Sequence, residues 1–415
     1  MVRLLLMVSF VLFAAGGTFA QAVPVVTSVV PLPVEANPRL YPSPDGTLVA
    51  YQRAVPAADQ TEYSLCLLET TAGSAPVCSL IAQQPPRGFE PDPQAVDMAL
   101  AWSPDGQQIA VTGQPLLGQE DTDLLVYNRA LAEWSNLSDD AYAGALNEQS
   151  RLERHPAWSP DGATLAVVQT PAASDDETTA SIALFDSVAG ARRLVALPAA
   201  IADAHAITGL DWSPDGHTLA LTVFAPGGAS SANGIWLLDT TDGTSRLLVD
   251  SRTVQDSFGF IYANQTLNVL GAPQWSPDGA YLLIWAGNAD QTPASIWGFV
   301  VTVADALLIP FNLPFLSTDL LGERSLRPLQ AAWSPDSTKL LVLVPGHDGS
   351  LDDLPLDPSA DGATASLYLV DPCGCYFAIF VGNLPLTASV GLFAAEWSAD
   401  DLAVIDGYAF HFAAE

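Results

Sequence analysis

Positive charge is what this sequence most lacks: 14 Lys and Arg stand against 46 Asp and Glu, a formal net charge of -32. A chain this acidic repels phosphate backbones and anionic bilayers, which excludes nucleic-acid binding as its working mode. The acidity has a plain use of its own, a solvated surface that keeps an exported protein soluble. Charge of either sign is sparse, 14% of residues, while 49% are hydrophobic. That balance excludes an intrinsically disordered chain and supplies a large core. Long apolar runs are missing too, except near the start, where Arg3, the apolar stretch 4–15 and small residues ending in Thr18, Phe19 and Ala20 read as a secretory signal peptide. The stretch is shorter than the ~20 residues a membrane-spanning helix needs, so stable membrane insertion is not expected. The expected organisation is a signal peptide over 1–20 and one mature domain over 21–415, exported to the periplasm or the cell exterior.

Catalytic and metal-binding patterns are also missing. The five histidines, His155, His205, His217, His347 and His411, show no metal-ligand spacing, and no motif pairs one with a serine or cysteine. Triads assemble through space, so this weakens the case for an enzyme without closing it. The most acidic loop, 348–361 with Asp352, Asp353 and Asp357, lacks the alternating pattern of an EF-hand. No cofactor and no metal are expected, with calcium at that loop as the minor alternative.

Cysteines number four, Cys66, Cys78, Cys373 and Cys375. In an exported chain an even number reads as disulfides. Ala72 and Gly73 lie near the centre between Cys66 and Cys78, so facing positions of one hairpin are expected for that pair. Cys373-Gly374-Cys375 sits at the equivalent turn of a later repeat, where a local bridge is strained but feasible. A metal at these two sulfurs is the sharper but less favoured reading.

What the sequence has in quantity is a repeat. Trp-Ser-Pro-Asp-Gly opens at Trp102, Trp158, Trp212 and Trp275, with weaker copies at Trp333 and Trp397 and around Ser43. The repeated serines, Ser43, Ser103, Ser159, Ser213, Ser276, Ser334 and Ser398, are spaced by 60, 56, 54, 63, 58 and 64 residues. Proline presets φ for the second position of a type I turn, aspartate suits the third, and glycine accepts the left-handed conformation that follows. The pentapeptide is therefore a hairpin turn. Runs such as 164–168 and 218–223 that follow it are strands. The tryptophans Trp102, Trp158, Trp212, Trp275, Trp333 and Trp397 read as core, each ending a strand where it packs against a neighbouring repeat. A third strand recurs 20 to 30 residues after each turn, as at 181–186 and 234–239, and a short run such as 246–249 makes a fourth. Four antiparallel strands per repeat is the unit of a β-propeller blade. The expectation is an all-β, seven-bladed β-propeller with four-stranded blades, six blades being the alternative. The strands 402–405 and 408–412 leave the last blade one short, and residues 24–30 are the expected supplier of its outer strand.

These repeats resemble the WD-like propeller repeats of the TolB family and of the propeller domains of prolyl oligopeptidase-type enzymes. Three copies depart from the pattern: Pro42 takes the tryptophan position after Tyr41, Ser337 replaces glycine, and Ala399 and Asp401 replace proline and glycine. The additional α/β domain of TolB-like proteins is not expected, because only about twenty residues separate the cleavage site from the first repeat. No Gly-x-Ser-x-Gly nucleophile elbow is present, so peptidase activity does not carry over. The repeat type says little about function.

The functional expectation is a monomeric, non-catalytic module that binds or scaffolds a protein partner. Its binding face is expected on the long connections 54–63, 113–122, 170–180, 224–233, 251–273, 311–329 and 345–365, opposite the short turns. Glu120, Asp121, Asp175, Asp176, Glu177, Asp352, Asp353 and Asp357 lie in these segments, so a basic protein, a cationic polymer or a divalent ion is the expected kind of ligand. The turn aspartates Asp45, Asp105, Asp161, Asp215, Asp278, Asp336 and Asp400 are explained by turn chemistry. The alternative is a hydrolase or lyase acting on a carbohydrate or lactone with carboxylates around the central channel.

Overall fold

A computed structural model describes residues 26–31, 40–56, 61–71, 73–84, 100–113, 123–138, 151–171, 180–198, 201, 207–224, 232–261, 265–288, 295–311, 330–345, 364–374, 379–385, 396–399, 402–405 and 408–412. These residues form seven antiparallel sheets, six of four strands and one of five. Sheets one to three run from Leu40–Pro42 to Val77–Gln84, from Leu100–Trp102 to Glu133–Asn136, and from Arg151–Trp158 to Arg192–Val195. Sheets four to six run from Ile207–Trp212 to Ser245–Asp250, from Val269–Leu270 to Leu308–Pro310, and from Gln330–Trp333 to Ile379–Pro385. Within each of these six sheets the strands lie in chain order, each paired with the next, except that the first strand of the fifth sheet is split into Val269–Leu270 and Gln274–Trp275.

The seventh sheet is built from both ends of the described chain. Glu396–Ala399, Leu402–Ile405 and Tyr408–Phe412 follow one another, and Val26–Pro31 pairs antiparallel with Tyr408–Phe412 as the outer strand. The N-terminal segment thus occupies the position expected of it.

First strands of neighbouring sheets pack against each other, as in sheets one and two, two and three, three and four, four and five, and six and seven. The apolar core lies between the sheets. Ala50, Leu65 and Ile81 meet Ile109, Val111 and Tyr127, and Val126 and Leu124 meet Trp158 and Leu165. Further on, Ile182 and Leu184 meet Leu219 and Leu221. Sheets packed on both sides are apolar on both faces, which is why their inner strands read as continuous runs such as Leu340–Leu343, fully buried, rather than alternating ones. This is a β-propeller of four-stranded antiparallel blades.

The repeated tryptophan joins neighbours by a hydrogen bond as well as by area. The Nε1–H groups of Trp102, Trp158, Trp212 and Trp275 donate to the backbone oxygens of Tyr41, Ala101, Ala157 and Asp211 in the preceding sheet, at 2.8, 3.1, 3.0 and 3.2 Å. Trp333 keeps the position but finds no acceptor for Nε1, and its ring stacks on Tyr281 instead, 6.0 Å between centroids. Five of the six motif tryptophans are buried, and Trp102 is half-buried with the Arg129 guanidinium over its ring.

Two expectations about connections change. Residues 54–63 read as a loop, but paired strand extends to Pro56 and resumes at Thr61. Residues 251–273 also read as a loop, yet Ser251–Ile261 is a helix and Val269–Leu270 a strand. The helix begins where Asp250 accepts the Thr253 N–H at 2.7 Å. Val254 and Phe258, one turn apart, are fully buried beneath it.

Candidate functional site

The Ser-Pro-Asp-Gly turns gather on one face. In sheets one to six the serine Oγ donates to the aspartate Oδ1 at 2.5–2.7 Å, and that oxygen also accepts the backbone N–H two residues on. The serine Oγ in turn accepts a backbone N–H five residues on. Each glycine N–H closes the turn on the serine carbonyl, and each glycine sits at positive φ, from 65° to 73°. Turn chemistry therefore accounts for these aspartates, as expected. Hydrogen bonding from Ser103, Ser159 and Ser213 holds the carboxyls of Asp105, Asp161 and Asp215 below the usual range. For Asp45 and Asp336 burial pushes upward, but the serine and backbone donors outweigh it and the net shift is downward.

Successive turns interlock. A Cβ on Gly106, Gly162, Gly216 or Gly279 would stand 3.6–3.9 Å from the ring of Pro44, Pro104, Pro160 or Pro214 in the preceding turn. At the sixth turn Ser337 replaces glycine, keeps the left-handed φ of 61°, and accepts the backbone N–H of Asp278 in the fifth turn at 2.9 Å. What reads in the sequence as a lapse of the motif is a polar version of the same contact. The third-to-fourth turns join this face from outside: the Thr70, Ser187 and Thr240 hydroxyls and the Arg129 guanidinium donate to the carbonyls of Gly46, Gly162, His217 and Gly106.

Between sheets four and five, this face opens into a cleft of about 450 Å³. Leu237, Trp275 and Val303 line it together with Asp215, Asp239, Asp278 and Arg246. Arg246 crosses from its own sheet to donate to the Val303 carbonyl at 3.1 Å. The Thr241 hydroxyl and N–H hold the Asp239 carboxyl below its usual range, and His217 lowers it further.

One carboxylate behaves differently. Asp211 lies on the first strand of sheet four, and its two oxygens accept backbone N–H groups on either side of the sheet boundary, from Trp212 at 3.0 Å and Trp275 at 2.8 Å. Part of the residue's surface remains accessible, but protein surrounds the carboxyl closely enough for desolvation to push its pKa up to about 7 against those two donors. Sequence reading missed Asp211 because an aspartate before a motif tryptophan carries no signal of its own.

The eight residues expected to bind a partner, Glu120, Asp121, Asp175, Asp176, Glu177, Asp352, Asp353 and Asp357, lie outside the described residues. So does the expected signal peptide at 1–20. Cys66 and Cys78 form the expected disulfide, directly opposed in the hairpin with Cα atoms 4.0 Å apart. Cys373 is also disulfide-bonded, and Cys375 lies outside the described residues. Among the described residues no three His, Cys, Asp or Glu come together as a metal site, and no helix is long and apolar enough to cross a membrane.

No protein-family model matches the chain, and no curated protein matches it in sequence. Solved structures similar to it include one from a study of two prolyl endopeptidases, 14% identical with a TM-score of 0.48 over 90% of this chain and 46% of that one. Another is the oligogalacturonate lyase of Vibrio parahaemolyticus, 12% identical with a TM-score of 0.47 over 92% of this chain and 98% of that one. The chain thus spans less than half the length of the first. Likeness at this level assigns no activity; the fold rests on the strand pairing described above.

Proposed function

We propose that this chain is an exported, non-catalytic module, a seven-bladed propeller of TolB-like repeat type, that binds a protein partner through the face opposite its Ser-Pro-Asp-Gly turns. The observation that carries this reading is the unequal use of chain at the two ends of the sheets. On the turn face the first-to-second connection is one repeated, internally bonded turn. At the other end the second and third strands are joined by segments as different as 57–60, 114–122, 172–180 and 346–363. Of these only 346–363 exceeds about 12 residues, a length uncommon for a connection unless it is functional or a linker. Their acidic residues favour a basic partner, with affinity that falls as salt rises. The Cys66–Cys78 disulfide is consistent with export.

The test is capture of a partner from the native envelope fraction, followed by two variants of the bait. Replacing Asp352, Asp353 and Asp357 with Asn is expected to weaken the captured complex about tenfold or more. The same change at Asp45 and Asp105, on the turn face, is expected to leave it within about twofold. If only the second variant weakens capture, the binding face is the other one.

Asp211 favours a second reading, a hydrolase or lyase acting from the central channel on a carbohydrate or lactone. A carboxyl that holds its proton near neutral pH is what a general acid needs. Such chemistry uses a pair of carboxyls, and Asp211 has both oxygens already bonded to backbone N–H groups. Turnover of a carbohydrate or lactone that Asp211→Asn abolishes, with the fold intact, would move the assignment to this reading.

A further inference from the structure

The cleft between sheets four and five is concave and two-sided in chemistry. Its volume of about 450 Å³ falls within the usual range of ligand pockets. One part of the wall is apolar, formed by Leu237, Trp275 and Val303. The rest carries Asp215, Asp239 and Asp278, and in each of these Oδ1 is consumed by the residue's own turn while Oδ2 accepts no hydrogen bond. These carboxylates do not converge as a metal site does. Carboxylates spread around an apolar wall match a ligand with an apolar stem and a diffuse or mobile positive head, the shape of an arginine or lysine side chain. The opposing charges are Arg246, which lines the cleft, and His217, close enough to Asp215 and Asp239 to lower their pKa values.

We propose that this cleft binds an alkylguanidinium or alkylammonium group, its stem lying along Trp275, Leu237 and Val303 and its head facing Asp215, Asp239 and Asp278. The site is separate from the long-connection face and does not depend on it. A basic side chain of a partner protein and a free polyamine share this chemistry.

The experiment titrates the mature protein at low salt with a blocked Gly-Arg-Gly peptide, its citrulline counterpart and spermidine, and reads affinity by calorimetry. The arginine peptide is expected to bind, and the citrulline peptide at least about tenfold more weakly. Tighter binding of spermidine than of the peptide would identify a free polyamine as the source of the cation. A protein of net charge -32 attracts cations everywhere, so the location is decided by variants. The Asp215→Asn, Asp239→Asn double variant keeps an oxygen acceptor for each turn and is expected to lower affinity about tenfold. Asp45→Asn with Asp105→Asn makes the same charge change on the same face and is expected to leave affinity unchanged. Arg246→Ala removes the opposing charge and is expected to tighten binding about two- to fivefold. Equal binding of the citrulline peptide overturns the proposal, as does equal weakening by the two aspartate pairs. Should the first double variant fold poorly, looser binding by Arg246→Ala does the same.

Discussion

At the scale of single residues, Ser337 separates two things that glycine does together in the other turns, accepting a left-handed φ and packing on the neighbouring turn. Its φ of 61° costs what any side chain costs there, and its bond from the Asp278 N–H offsets that cost. Ser337→Gly is expected to sit within about 0.5 kcal/mol of the parent, strain relieved and bond lost in near balance. Ser337→Ala keeps the strain and loses the bond, so chemical denaturation should show a loss of about 1–2 kcal/mol. Equal stability of Ser337→Ala and the parent would mean the cross-sheet bond contributes nothing. The turns themselves were legible from the sequence, because proline, aspartate and glycine each act on the backbone beside them. The Asp278 N–H that donates to Ser337, and the Trp275 N–H that donates to Asp211, were not, since those partners belong to another sheet and no spacing along the chain encodes them.

At the scale of elements, the strands were readable wherever a motif turn fixed one end. The helix Ser251–Ile261 was not, although Asp250 at its start and Val254 and Phe258 one turn apart are the marks of a capped amphipathic helix. In a chain otherwise built of strands, its period was overlooked inside a polar connection. The paired cysteines were legible because a hairpin places equal steps from its turn opposite each other. The strand Val26–Pro31 has the largest consequence of any single element, because it covers the outer edge of the seventh sheet. Deleting residues 26–31 is expected to lower the melting temperature by several degrees at least and to promote association through the bared strand Tyr408–Phe412. An unchanged melting curve and a monodisperse product would show that this strand adds nothing to the ring.

At the scale of the whole molecule, two kinds of carboxyl pull stability in opposite directions with pH. The turn aspartates with lowered pKa values stabilise the fold above about pH 4, and that contribution disappears as pH falls through their folded values. Asp211 is raised from 3.8 to about 7, so between those values the folded state holds a proton that the unfolded state has released. Stability therefore falls as pH rises across that window, at up to about 1.4 kcal/mol per pH unit for this group. Asp211→Asn removes the second trend alone: thermal melts from pH 4 to pH 8 should show the variant gaining on the parent as pH rises. A constant difference across that range would mean Asp211 is ionised throughout. The sequence announced the net acidity of -32 but not this division, which depends on where each carboxyl is buried and what donates to it.

The pairing of Val26–Pro31 with Tyr408–Phe412 also sets an order of events. A chain that emerges from its N-terminus presents this strand well before the strand it pairs with. Until the final hairpin emerges, the first strand has no partner and the growing array of sheets has two open ends. Such long-range closure makes folding slow, so the folding chain passes through a period in which an apolar edge strand is exposed to any other chain in the same state. A holding chaperone, or a supply of chains slow enough to keep them apart, is the environment in which this topology reaches a closed ring.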